Sequence, residues 1–113
     1  MIFEKEREIA HIETQIEDQV ARIHRLHEFA EPEVAPTYFA LARQSLRRID
    51  ELTAHGSEVA DQLMILDGRL HNYQNQLRVL NGEPTKTSVS RNRRLEFQQR
   101  VFDLKRRLPS EFE

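Results

Sequence analysis

The chain has no cysteine and no tryptophan, and only three glycines and four prolines in 113 residues. Without cysteine, neither a disulfide framework nor a thiolate metal site can form, which fits a reducing compartment. With three glycines, a Gly-rich phosphate loop is out of reach, and no Walker pattern or nucleophile elbow occurs. No run approaches the roughly 18 apolar residues that a membrane span needs. The opening Met1-Ile-Phe-Glu-Lys-Glu-Arg-Glu8 lacks the basic start and apolar stretch of a signal peptide. A cytoplasmic protein is therefore expected.

What is present is charge in quantity. Charged residues make up 32% of the chain against 38% hydrophobic, the balance of long amphipathic helices with one apolar stripe, so the core must be thin. At this length a single domain spanning residues 1–113 is expected. The charge is uneven: residues 1–33 hold 4 basic and 9 acidic side chains (net −5), and residues 86–113 hold 8 and 4 (net +4). The two ends attract.

The dominant pattern runs from Ile49 to Leu80. Ile49, Gly56, Leu63, Leu70 and Leu77 recur at a spacing of seven, and Leu52, Val59, Leu66, Tyr73 and Leu80 follow each by three. This is the a/d seam of a coiled coil, a surface that exists to meet another helix. Ile2, Ile9, Ile16 and Ile23 repeat the spacing near the N-terminus, with Ile12 and Leu26 at d. The seam residues Ile9, Ile16, Ile23, Ile49, Leu52, Val59, Leu63, Leu66, Leu70, Tyr73, Leu77 and Leu80 are the expected protein-interaction residues.

Three helices follow. The first spans about Phe3 to Phe29 and ends in Ala30-Glu-Pro-Glu-Val-Ala-Pro36, where two prolines remove backbone donors. The connector is short, so the second helix should return antiparallel, with Thr37 as N-cap. It should run to about Asn81, because Gly82 can adopt the left-handed C′ conformation and Pro84 blocks continuation. Gly56 inside it either admits a close neighbour or marks a kink. The unchanged heptad phase favours one continuous helix. A third helix from about Ser90 to Leu108 carries Phe97, Val101, Leu104 and Leu108 at a/d spacing. Folded back across Gly82, it should cover the C-terminal half of the second helix. The expected fold is all-α: an elongated antiparallel helical hairpin with a third helix folded back, two helices thick in places, forming a bundle by dimerisation.

Candidate chemistry is sparse. Glu8-Ile-Ala-His11 has the Glu-x-x-His form of di-metal bundles, but no second copy exists and His11 falls outside the stripe. Glu51/His55 and Asp67/His71 read as helix-surface pairs, and His24 with His27 lacks a third ligand. No catalytic residue, cofactor or metal ligand is assigned. Asn72, Gln74, Asn75 and Gln76 form a charge-poor patch around Tyr73 and Leu77.

The functional expectation is a non-enzymatic coiled-coil interaction protein: an adaptor, a chaperone-like binder or a structural part of a larger assembly. Its partner is a protein, with a homodimer as the default. The alternative is a nucleic-acid binder, in which Arg91, Arg93, Arg94, Arg100, Arg106 and Arg107 of the third helix contact phosphates. Glu96 and Asp103 interrupt that basic field.

Overall fold

A computed structural model describes residues 1–28, 31, 33, 35–87 and 91–112. Three α-helices follow one another: α1 (Ile2–Glu28), α2 (Ala35–Leu80) and α3 (Arg93–Lys105), with a 3-10 turn at Ser110–Phe112. Among the described residues there is no strand. At 1.5 Å per residue, α2 is about 69 Å long. It sets the long axis of a molecule measuring 74 × 21 × 15 Å. The radius of gyration, 19.9 Å, exceeds the roughly 13 Å of a compact chain of this length.

α1 returns antiparallel on α2, as the contacts Glu8–His55 and His27–Tyr38 establish. Its isoleucines face inward: Ile9, Ile12, Ile16 and Ile23 are all buried, with Val20 beside them. On α2 the buried seam is Tyr38, Ala42, Ser45, Ile49, Leu52, Gly56, Val59 and Leu63, a heptad that starts earlier than Ile49. Ala42 and Ser45 occupy seam positions without the apolar bulk that makes a seam readable. The Ser45 hydroxyl is buried with no hydrogen-bond partner among the described residues.

The helix ends follow local chemistry. Gly82 has φ +73°. The Glu83 amide donates to the Arg78 carbonyl at 2.8 Å and the Gly82 amide to that of Val79 at 3.1 Å. This is the Schellman closure, and it ends α2 where the sequence places its stop. At the other end α2 begins at Ala35, so Thr37 lies inside the first turn and does not cap it. Pro36 is tolerated there because first-turn amides have no intrahelical acceptor. The part of the connector reading that falls on Phe29, Ala30, Pro32 and Val34 lies outside the described residues.

α3 departs most from expectation. It starts at Arg93, because Asn92 is the N-cap and its side-chain oxygen accepts from the Leu95 amide at 2.9 Å. The expected start at Ser90 lies outside the described residues. Nor does α3 lie along the C-terminal half of α2. Arg93 meets Asp67, Arg94 meets Asp61 and Lys105 meets Asp50, so it runs antiparallel to α2 over its middle. Arg93 also meets Glu6 and Arg100 meets Glu13, which sets α3 beside α1 and parallel to it. All three helices touch one another there, so the rod is three helices thick at its middle. The reason is the connector. Residues 83–87 do not fold back tightly but run along α2, where the Asn75 side chain exchanges two 3.0 Å hydrogen bonds with the Lys86 backbone. α3 therefore enters beside Asp67, about 20 Å short of the end of α2.

Gly56 is the seat of that docking. Helix α2 continues through it without a break, and the Phe97 ring, fully buried, fills the space that a Cβ would take. A built Cβ would lie 2.1 Å from Phe97 Cζ. Glycine's cost in a helix is the condition for a third helix to come this close.

Candidate functional site

The structure divides the predicted interaction seam in two. Ile9, Ile16, Ile23, Ile49, Leu52, Val59 and Leu63 lie within the chain's own core, none more than 6% exposed. They hold the fold together and are not available to a partner. Leu66 is half-buried. Leu70, Tyr73, Leu77 and Leu80 are bare, at 46, 65, 59 and 83% exposed. Both sets belong to one heptad on one continuous helix. The change comes where α1 ends: Met1, Glu4 and Lys5 border a groove with Gln62, Ile65, Leu66 and Arg69. Beyond it α2 projects as an arm.

Among the described residues, the chain's own connector does not cover the arm's stripe. Asn75, which holds Lys86, occupies the f position of the heptad, opposite the a/d seam. The return segment therefore lies on the polar back of the arm. Asn75 thus leaves the charge-poor patch to serve the fold, whereas Asn72, Gln74 and Gln76 remain exposed.

The arginines of the alternative reading are largely engaged within the chain. Arg93, with a side chain only 11% exposed, clamps Asp67 through two hydrogen bonds of 2.8 and 3.0 Å and lies 3.5 Å from Glu6. The hydrogen bonds to Asp67 hold its guanidinium even more firmly protonated than usual, against the opposing cost of burial. Arg94 meets Asp61 at 2.8 Å, Arg91 meets Glu96 at 2.8 Å, and Arg100 meets Glu13. These acids offset the unfavourable placement of two cations at the first turn of α3. Arg106 lies over the Phe102 ring, 5.7 Å from its centroid. The Arg107 carbonyl accepts from His24 Nε2.

Three of the five histidines, His24, His27 and His55, make contacts between elements. His55 meets Glu8 at 3.2 Å. His27 Nδ1 lies 2.8 Å from the Glu111 carboxylate, and the Tyr38 hydroxyl donates to the same carboxylate at 3.2 Å. Tyr38 is buried, and its rings of contact include Phe39 and Phe112, so this end of the rod is closed by aromatic packing. Burial first, then the hydrogen bond to Glu111 and its negative charge, push the Tyr38 phenol from 10.0 up to about 12. Nothing in the sequence linked these three residues, which lie up to 84 positions apart. Among the described residues, no three His, Asp or Glu side chains gather in a metal-holding geometry.

An apolar groove of about 750 Å³ lies between α2, α3 and the C-terminal turn, lined by Leu46, Ile49, Phe102, Arg106, Leu108 and Phe112. Its two other charged residues, Lys105 and Asp50, face each other at 3.7 Å. No nucleophile with an adjacent base lines it.

No helix of the described residues is long and apolar enough to cross a membrane. No family model matches the chain, and neither a curated protein nor a solved structure matches it.

Proposed function

We propose that this chain is a non-enzymatic protein–protein interaction module, in which the three-helix middle is a rigid mount and the projecting arm of α2 is the docking stripe. An adaptor or a structural part of a larger assembly is the role that fits such a shape. One observation carries the reading: a single heptad seam is buried by α1 as far as Leu63 and then continues, bare, through Leu70, Tyr73, Leu77 and Leu80. An exposed apolar stripe on a regular, charge-poor helix favours a partner helix laid along it. The total accessible surface, 8192 Å², exceeds the roughly 6,500 Å² of a compact monomer of this mass, which also favours a partner. Phosphate contacts are the weaker reading, since the α3 arginines spend their charge on carboxylates of α1 and α2.

The test is affinity capture from an extract of the source cells, with wild type and Leu77→Lys immobilised in parallel. Proteins retained by wild type and lost from the variant are expected. Identical retention by the two would remove the arm as the docking site.

A further inference from the structure

Given that reading of the arm, the pattern of the stripe goes further and identifies what lies on it. We infer that the arm pairs with the arm of a second copy of this chain, antiparallel, about a two-fold axis at Asn75.

In an antiparallel helix pair, each a residue packs in a layer with a d residue of the other helix. The four bare positions satisfy that rule on themselves. Leu70 at a meets Leu80 of the second copy at d, and Tyr73 at d meets Leu77 at a. The same pairs recur on the far side of the axis, so the four positions make four closed layers with none left over. Such an arrangement is isologous: one patch, used twice, closing on itself.

Length agrees with it. In this register the tip of the second arm, at Leu80, stops beside Leu70. That is just short of the groove that Met1, just before α1, lines with Ile65 and Leu66, so α1 and the incoming arm share the seam end to end without overlap. Met1 and Phe3, at the same end of α1, are 84 and 78% exposed.

Charge agrees as well. The flanking e and g positions nearest the axis are Gln74 and Gln76, so each meets its own copy as an uncharged amide and no like charges oppose. The connector, held on the f face by Asn75, lies outside the pair.

The buried area sets the strength. From their exposures, the four stripe residues offer on the order of 500 Å² per copy, about 1,000 Å² for the pair, at the lower end for a specific interface. The dimer is therefore expected to dissociate at micromolar concentrations, and mass must be read across a dilution series.

The absence of cysteine makes the geometry testable, because any thiol introduced is unique. Light scattering of the full chain from 1 to about 500 µM should pass from monomer to dimer, and Leu77→Lys should weaken association at least tenfold with helicity unchanged by circular dichroism. With a short bis-maleimide, Gln74→Cys should cross-link to itself. Leu80→Cys should not, because its copies lie about 15 Å apart along the pair. A wild-type chain that stays monomeric throughout overturns the second copy as occupant, while the docking stripe is judged separately by the capture experiment. Cross-linking of Leu80→Cys but not Gln74→Cys means a parallel pair and overturns the register. A dimer that Leu77→Lys leaves intact places the interface elsewhere and overturns the proposal.

Discussion

Leu63 and Leu70 are one heptad apart on the same helix, of the same type and at the same seam position, yet one is 1% exposed and the other 46%. The covered stretch, Tyr38 to Leu63, has α1 along its seam and α3 beside it. The arm, Leu70 to Leu80, has among the described residues only the connector on its back. Nothing in α2 itself distinguishes the two. The difference is made by where α1 ends and where α3 enters, so hydrophobic periodicity identifies a face that needs cover without identifying what covers it.

The sharpest way to break the comparison is to place the same charge at both leucines. Leu63→Asp puts a carboxylate in the core without a partner, at an expected cost above about 4 kcal/mol. The domain should be largely unfolded in urea melts or circular dichroism. Leu70→Asp leaves the charge in water, and the monomer's stability should stay within about 0.5 kcal/mol of wild type. Equal loss of helicity in the two would mean the arm is not free.

Two glycines make the same contrast with smaller effect. Gly68 is exposed and a Cβ there meets nothing within 4 Å. Gly68→Ala should therefore raise stability by about 0.5–1 kcal/mol through helix propensity alone. Gly56→Ala forces its methyl into the Phe97 ring and should lower stability by about 1–3 kcal/mol. Adding Phe97→Leu to Gly56→Ala should recover part of that loss, since the smaller side chain can yield. A stabilised Gly56→Ala in thermal melts would place α3 elsewhere.

These glycines also mark what the sequence makes legible. The helical class, the stop at Gly82 and the continuity through Gly56 follow from local rules: period, a left-handed glycine and an unbroken phase. The elongated shape follows from helix length. The position of α3 was not legible, because it depends on a connector pinned by Asn75 to the back of α2, a contact between a side chain and a distant backbone. The near end of the seam was hidden for a different reason. Ala42 and Ser45 occupy seam positions, but neither residue type signals burial. At the arm, the sequence marks Leu70 to Leu80 as part of one seam but does not separate this exposed part from the part that the chain buries for itself.

The arginines of α3 sharpen the comparison through electrostatics. Arg93 is held between α1 and α2 at 11% side-chain exposure, while Arg94 and its partner Asp61 are about half exposed. Arg93→Gln strands Asp67 and should cost about 1–3 kcal/mol in urea unfolding. Arg94→Gln removes a solvated pair and should cost under about 1 kcal/mol, less still in high salt. Equal and salt-sensitive losses would mean that Arg93 is a surface cation like its neighbour. An affinity for DNA or RNA that falls with salt and vanishes when Arg91, Arg93 and Arg94 become glutamine would instead assign α3 to phosphates.

The chain's two tyrosines fall one on each side of the divide. Tyr38 is buried against His27, Phe112 and Glu111, and Tyr73 stands bare on the arm. In Tyr73→Phe the single remaining phenol reports the covered end alone. Its pKa is raised in the fold from 10.0 to about 12, so the unfolded chain loses that proton first. The stability it contributes is fully present below pH 10 and is lost as pH rises from 10 toward about 12. At neutral pH no effect is expected. Phenolate absorbance should therefore lag behind pH 10 and rise together with loss of helicity, and Glu111→Gln should move the rise to lower pH by removing the carboxylate. A phenol that ionises near pH 10 with the helices intact would mean that this end opens without unfolding the rest. In that case the covered region is itself two parts: a core built on Gly56 and Phe97, and an aromatic closure at Tyr38 that comes and goes.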